Sequence, residues 1–158
     1  MIEVYVDGLC EPKNPGGTGT CGFAIFEDGK EIGAGATVIG SGPKISNNVA
    51  EYRALKSALE RLIELGRRDE EIIVRSDSRL VVNQMSGNWN ANAGLYIGSY
   101  LAALELAKKF RHISYEWIPR GLNQGADGLS REAYEAWCLS RGVKPIYHKE
   151  HGRQRADE

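Results

Sequence analysis

The chain has 158 residues, 42% of them apolar and 26% charged, which fits one folded domain with a sizeable core. The formal net charge of −1 supplies no global pull on a polyanion, so a nucleic-acid partner would need a local basic patch or bound metal. Cys10, Cys21 and Cys138 are too scattered for a disulfide framework, and neither a charged-then-apolar leader nor a membrane-length apolar stretch occurs. Buried thiols are expected, with a Cys10–Cys21 bridge as the alternative; no membrane association and cytoplasmic residence follow as defaults.

Residues 2–7 alternate apolar and polar and predict a strand. A loop rich in Gly and Pro follows, then a second strand over 22–27. Asp28-Gly29 is a hairpin signal, and it delivers the chain into a third strand over 30–39. Three strands joined by short turns predict an antiparallel meander. The period then changes: Ser46, Asn47 and Asn48 offer caps, and Leu55, Ala58, Leu59, Leu62 and Leu65 recur at helical spacing in a helix over 49–65 stopped by Gly66. A short apolar strand over 71–76 is of the kind buried on both faces. Next come a short helix over 78–85, a polar loop over 87–94 around Trp89, and a long helix over 95–110. A strand over 113–118 is broken by Pro119, and a last helix spans 125–139. The pattern is that of a mixed α/β layer domain. Residues 1–146 are assigned to it, and 147–158 to a polar, frayed tail.

Four acidic residues stand at or near element ends. Asp7 closes the first apolar run, Asp77 lies just past the fourth strand, and Asp127 falls in the first turn of the last helix. Glu51 is one turn before Leu55 and two before Leu59, so its carboxylate shares the helix face that packs on the sheet. Parallel neighbouring strands would bring Asp7 and Asp77 within reach of one ion. Each residue also has a plain structural reading: Asp7 as a turn residue, Glu51 and Asp127 as carboxylates favoured by a helix dipole, Asp77 as a cap. Taken together they predict a site for a hard cation such as Mg²⁺, and hence phosphoryl-transfer chemistry.

Five motifs then carry a resemblance. They are Tyr5-Val6-Asp7-Gly8 with Asn14-Pro15-Gly16-Gly17, and Ser46-Asn47-Asn48-Val49-Ala50-Glu51-Tyr52. Ser76-Asp77-Ser78 with Leu80-Val81-Val82-Asn83-Gln84 follows, then Trp117-Ile118-Pro119-Arg120 and Asn123-Gln124-Gly125-Ala126-Asp127. In this order they resemble ribonuclease HI, from Ile2 to about Arg141. The resemblance implies an RNase H-like fold: a five-stranded mixed sheet, three antiparallel strands and then two parallel ones, flanked by helices. It implies an endoribonuclease that hydrolyses the RNA strand of RNA/DNA hybrids and leaves 5′-phosphate and 3′-hydroxyl ends. The catalytic and metal-binding carboxylates would be Asp7, Glu51, Asp77 and Asp127. They would hold two Mg²⁺ ions with substrate, and Mn²⁺ would substitute.

The same resemblance assigns Asn14, Asn47 and Gln84 to sugars and base edges, the backbone of Gly16 and Gly17 to close approach, Ser46 to a DNA-strand phosphate and Arg120 to product phosphate. A monomer is expected, with double-stranded RNA as an alternative substrate and a non-catalytic nucleic-acid-binding module as the competing class of function. Two departures stand out. Residues 86–93 carry no Lys or Arg where many relatives have a basic protrusion, and no histidine precedes Asp127 in the loop over 119–126.

Overall fold

Alternation dictates the first strand. Ile2, Val4 and Val6 turn to one face and are fully buried, while Glu3 and Tyr5 turn to the other and are only partly covered. In the computed structural model, which describes residues 1–148, this strand is β1 (Ile2–Glu11). It runs beside β2 (Thr18–Glu27), which in turn pairs with β3 (Lys30–Ser41). Helix α1 (Asn47–Glu64) leads to β4 (Glu71–Ser76); α2 (Arg79–Met85) and α3 (Ile97–Ala107) lead to β5 (His112–Trp117). A 3₁₀ turn at Arg120–Leu122 opens into α4 (Gln124–Ser140). The sheet order is β3-β2-β1-β4-β5, antiparallel from β3 to β1 and parallel from β1 to β5. This is the five-stranded mixed sheet expected from the sequence.

Two local expectations are corrected. Asp7 does not end its strand, because pairing with β2 continues from Asp7↔Gly22 to Glu11↔Thr18. Only the parallel pairing with β4 stops there, at Val6↔Ser76. Helix α1 also starts two residues early: Ser46 is its N-cap, with the hydroxyl accepting from the Val49 N–H at 3.2 Å. Glu51 is therefore beyond the first turn, and the dipole reading no longer accounts for it. At the other end, Gly66 takes a positive φ of +74° and its N–H donates to the Ile63 carbonyl, which ends the helix where expected.

The core lies between α1 and the sheet. Tyr52, Leu55, Ala58, Leu59 and Leu62 pack on Ile2, Val4, Val6, Ile25, Ile72 and Val74, and α3 closes this layer through Ala103 and Ala107. Helix α4 covers the opposite face, against β1, β2 and β3. A glycine marks each contact. A Cβ on Gly8 would sit 2.2 Å from the Glu51 amide nitrogen and 2.3 Å from the Ala50 carbonyl carbon, so α1 rests directly on β1. A Cβ on Gly22 would sit 2.8 Å from the Ala126 carbonyl oxygen and 2.9 Å from the Ser130 nitrogen, so α4 rests directly on β2.

A smaller apolar cluster of Leu9, Tyr134 and Cys138, joined by Trp137 and Tyr147, holds the far end of α4. The three cysteines are buried and free, so no Cys10–Cys21 bridge forms. The Tyr134 hydroxyl donates to the Ile146 carbonyl at 2.6 Å, and the His148 N–H donates to Glu11 at 2.8 Å. Tyr147 and His148, assigned from sequence to the tail, are thus docked on the domain. The rest of that segment, 149–158, lies outside the described residues.

The glycine contacts generate a stability test. Gly8→Ala is expected to destabilise by about 3 kcal/mol, the upper end for overpacking against backbone that cannot yield, or to prevent folding. Gly98→Ala, at an exposed position on α3 with nothing within 4 Å, is expected to stabilise slightly. Urea denaturation checks both, and equal midpoints for the two variants would contradict the close α1–β1 approach.

Candidate active site

The sheet makes a notch where β4 ends and β1 continues. Asp7 and Asp77 are each the first residue past the last parallel pair, Val6↔Ser76. The strand ends that lose their parallel partners there are tied off by side chains. Asn123 donates from Nδ2 to the Val6 carbonyl at 2.8 Å, and Trp117 donates from its indole to the Asp77 carbonyl at 3.1 Å. The turn after β4 is fixed by the Ser78 N–H donating to Ser76 Oγ at 3.0 Å. Ser78, not Asp77, caps α2, with its hydroxyl accepting from the Val81 N–H at 3.2 Å. The capping explanation for Asp77 therefore falls.

Glu51 reaches the notch from above. Because Gly8 has no side chain, the first turns of α1 approach β1, and the Gly8 N–H donates to Glu51 Oε1 at 2.8 Å. Asp7, Glu51 and Asp77 are all buried, and one oxygen from each lies within 4.8 Å of the others. Burying three carboxylates together is costly unless something offsets their charge. Burial pushes the Asp77 carboxyl up to about 6. Nearby Arg120 opposes the rise, Asp127 adds to it, and a hydrogen bond from Asn123 opposes it again. Asp77 Oδ2 is buried and has no hydrogen-bond partner among the described residues. An all-oxygen donor set with an orphaned buried carboxylate oxygen fits a hard divalent cation.

Asp127 stands beside this trio rather than in it. It lies in the first turn of α4, close enough to act on Asp77, but its carboxylate is held by Arg131 Nε at 3.0 Å and Arg120 Nη2 at 3.6 Å. The structure thus brings three of the four predicted carboxylates into one tight group. The fourth forms an arginine-paired flank.

The predicted substrate residues divide by how they are held. Asn14 and Asn47 pair reciprocally: Asn14 Nδ2 donates to Asn47 Oδ1 at 2.8 Å, and the Asn47 N–H donates to Asn14 Oδ1 at 2.9 Å. This clamps the loop after β1 to the start of α1, next to the Ser46 cap. Gly16 and Gly17 use their N–H groups internally, on the Ile45 carbonyl at 2.9 Å and the Lys13 carbonyl at 2.7 Å. A Cβ on Gly17 would lie 2.4 Å from the Lys13 carbonyl oxygen, so the loop itself requires this glycine.

Gln84 is buried, and its amide is engaged on three sides. Its Oε1 accepts from the Tyr52 hydroxyl at 2.6 Å, while Nε2 donates to the Asn90 carbonyl at 3.1 Å and the Tyr96 hydroxyl at 2.9 Å. It braces the loop over 87–94, on which Trp89 is exposed rather than anchored in the core. Ser130 and the bracing role of Asn123 escaped the sequence reading. Both are fully buried polar residues, three after and four before Asp127. Ser130 Oγ lies 2.9 Å from Asp7 Oδ2. A polar residue one turn from a candidate ligand, on the apolar side of its helix, was the available signal.

With this geometry in hand, the chain can be set beside known proteins. A family model described as reverse transcriptase-like matches residues 6–133. A bifunctional protein of Mycobacterium tuberculosis is 42% identical over 97 residues, which is 61% of this chain and 26% of that protein. The chain therefore spans about a quarter of that relative's length. RNase H1 from the halophilic archaeon Halobacterium salinarum superposes with a TM-score of 0.76 at 33% identity, covering 85% of this chain and 98% of that one. LC11-RNase H1, solved in complex with an RNA/DNA hybrid, superposes with a TM-score of 0.79 at 31% identity, covering 87% and 99%. The chain belongs to the reverse transcriptase-like family and, within it, to the ribonuclease HI (RNase H type 1) group.

Proposed function

We propose that the chain is an endoribonuclease that hydrolyses the RNA strand of RNA/DNA hybrids, leaving 5′-phosphate and 3′-hydroxyl ends. The observation that carries this reading is the buried trio Asp7, Glu51 and Asp77 within 4.8 Å at the sheet notch. A group that binds nucleic acid without chemistry has no use for three carboxylates turned toward phosphate. Family membership and a similar protein solved on a hybrid support the choice of substrate.

Asp7, Glu51 and Asp77, with Asp127 at the flank, would hold two Mg²⁺ ions when substrate is present, and Mn²⁺ would substitute. Such ions supply an activated water and charge stabilisation at the leaving oxygen. The protein's own part is placement. Gly8 fixes Glu51 through its N–H, Asn123 fixes Asp77 and the end of the parallel register, and the Asn14–Asn47 clamp presents amides beside the notch, with the Ser46 hydroxyl next in line. Arg120, a permanent cation near the trio, takes the product phosphate once it leaves Asp127. Gln84 shapes the substrate surface through the loop it braces, and Gly16 and Gly17 let that surface stay close to the backbone.

Cleavage of end-labelled RNA/DNA, RNA/RNA, DNA/DNA and single-stranded RNA, with Mg²⁺, Mn²⁺ or EDTA, tests the proposal. Internal cuts in the hybrid's RNA strand are expected with either ion and none with EDTA; an inert hybrid at every ion concentration sinks it. Asp7→Asn is expected to abolish cleavage while raising the metal-free melting temperature by about 2–4 °C, the shift of about 1 kcal/mol in a domain of this size.

The Asp77 carboxyl gives a pH signature. Its pKa near 6 in the fold exceeds the usual 3.8, so the native state holds that proton more tightly than the unfolded chain. The resulting stability is complete below the unfolded value and is lost as pH rises through about 6. In EDTA, the melting temperature relative to Asp77→Asn is therefore expected to fall between pH 4 and pH 7. Saturating Mg²⁺ is expected to stabilise the parent more at pH 8 than at pH 5, since the ion requires the ionised carboxylate. A parent-to-variant difference that stays flat with pH would count against the assignment.

A further inference from the structure

We infer that Ser130 is a positioning residue for Asp7, setting the orientation of the central carboxylate and thereby the site's affinity for its cation. The inference rests on the reading of Asp7 as a cation ligand. Ser130 Oγ is 2.9 Å from Asp7 Oδ2 and also 2.9 Å from the Asp127 carbonyl oxygen. A serine hydroxyl carries one proton, and both neighbours are acceptors when Asp7 is ionised. The carboxylate wins, because a hydrogen bond to a charged acceptor is about twice as strong as one to a neutral carbonyl. The Asp127 carbonyl loses little, since the helical N–H four residues on is directed at it.

The hydroxyl cannot drift from this position. Ser130 is fully buried, and its own carbonyl accepts from the Thr20 hydroxyl at 2.8 Å. Beneath it, the missing side chain of Gly22, the register partner of Asp7, lets α4 rest against the sheet. One helix thus delivers two functions three residues apart: Asp127 at the flank and the donor that orients Asp7. A donor outside the ligand set that fixes a ligand's orientation affects metal affinity by about 10–100-fold when removed.

The test titrates metal-containing and metal-free behaviour separately. Mn²⁺ alone is added to the purified protein and free ion is followed by electron paramagnetic resonance; kcat and KM on a hybrid are measured alongside. Ser130→Ala is expected to weaken Mn²⁺ binding about tenfold and to lower kcat, with KM for the hybrid unchanged. Ser130→Cys, close in shape but a weak donor, is expected to fall between parent and Ser130→Ala, and it carries the test if the alanine variant does not fold. Tyr134→Phe removes a different hydroxyl bond made from α4, the one to the Ile146 carbonyl, and leaves the Ser130–Asp7 pair in place; it controls for a merely structural loss and is expected to leave Mn²⁺ affinity unchanged. Parental Mn²⁺ affinity and kcat in Ser130→Ala, or an equal loss in Tyr134→Phe, overturns the inference while leaving the hydrolase reading intact. A parent that binds no Mn²⁺ and cuts no hybrid overturns the hydrolase reading itself.

Discussion

Between Gly8 and the start of α1 there is no room for even a methyl group, and the site depends on that absence. Contact at 2.2 Å between a notional Cβ and the Glu51 nitrogen means that helix and strand touch through their backbones. The same approach puts the Gly8 N–H in reach of the Glu51 carboxylate. A helix set off by an ordinary side-chain layer would leave Glu51 several ångströms too high to join Asp7 and Asp77. The hydrophobic stripe of Leu55, Leu59 and Leu62 supplies the force that presses α1 down, and Gly8 decides how close it comes.

The second requirement is a break in the sheet. Main-chain groups beyond Val6 and Ser76 lose their parallel partners, and buried main-chain groups need substitutes. Trp117, the last residue of β5, and Asn123, in the segment that follows it, provide them, so the same contacts that close the sheet bring the arm bearing Arg120 and Asp127 to the notch. The electrostatics then divide the four carboxylates into two kinds. Asp7, Glu51 and Asp77 are buried and crowded, with one oxygen of Asp77 lacking a hydrogen-bond partner among the described residues, whereas Asp127 is partly exposed and balanced by Arg120 and Arg131. The rise in the Asp77 pKa comes first from burial and only later from a like charge, so loss of water, more than mutual repulsion, is what a cation offsets.

Much of this was legible in the sequence, because it depends on periodicity and local chemistry. Alternation in residues 2–7, the Asp28-Gly29 turn, the leucine stripe of α1 and the Gly66 stop each have a local cause, and each predicted its element. Glu51 on the apolar face and the two aspartates after apolar runs pointed to a shared site. What failed to show depends on partners distant in sequence. Nothing near Asp7 reveals that β2 pairs five residues further along β1 than β4 does, so a mid-strand residue read as a strand end. Gly8 read as the first residue of a loop and Gly22 as the first residue of a strand, yet Gly8 meets residues 50 and 51 and Gly22 meets residues 126, 129 and 130. Gln84 read as a substrate contact, but three partners from Tyr52 to Tyr96 occupy its amide, a fact no spacing discloses.

These pieces share one organisation, with Asp7 at its centre. Consecutive strand residues point to opposite faces, so Asp7 faces α4 while Gly8 faces α1. The strand's own pleat thus joins the two layers at one peptide: the Gly8 N–H, adjoining Asp7, holds the carboxylate that α1 delivers, and the Asp7 carboxylate meets the hydroxyl that α4 delivers. The glycine partner of Asp7 in the register, Gly22, keeps α4 as close as Gly8 keeps α1. A shift of one residue in β1 would exchange these faces and part Glu51 from Asp7. Register therefore constrains the chemistry as tightly as the identity of the carboxylates does. The apolar residues Val4 and Val6, fully buried under α1, are what hold that register in place.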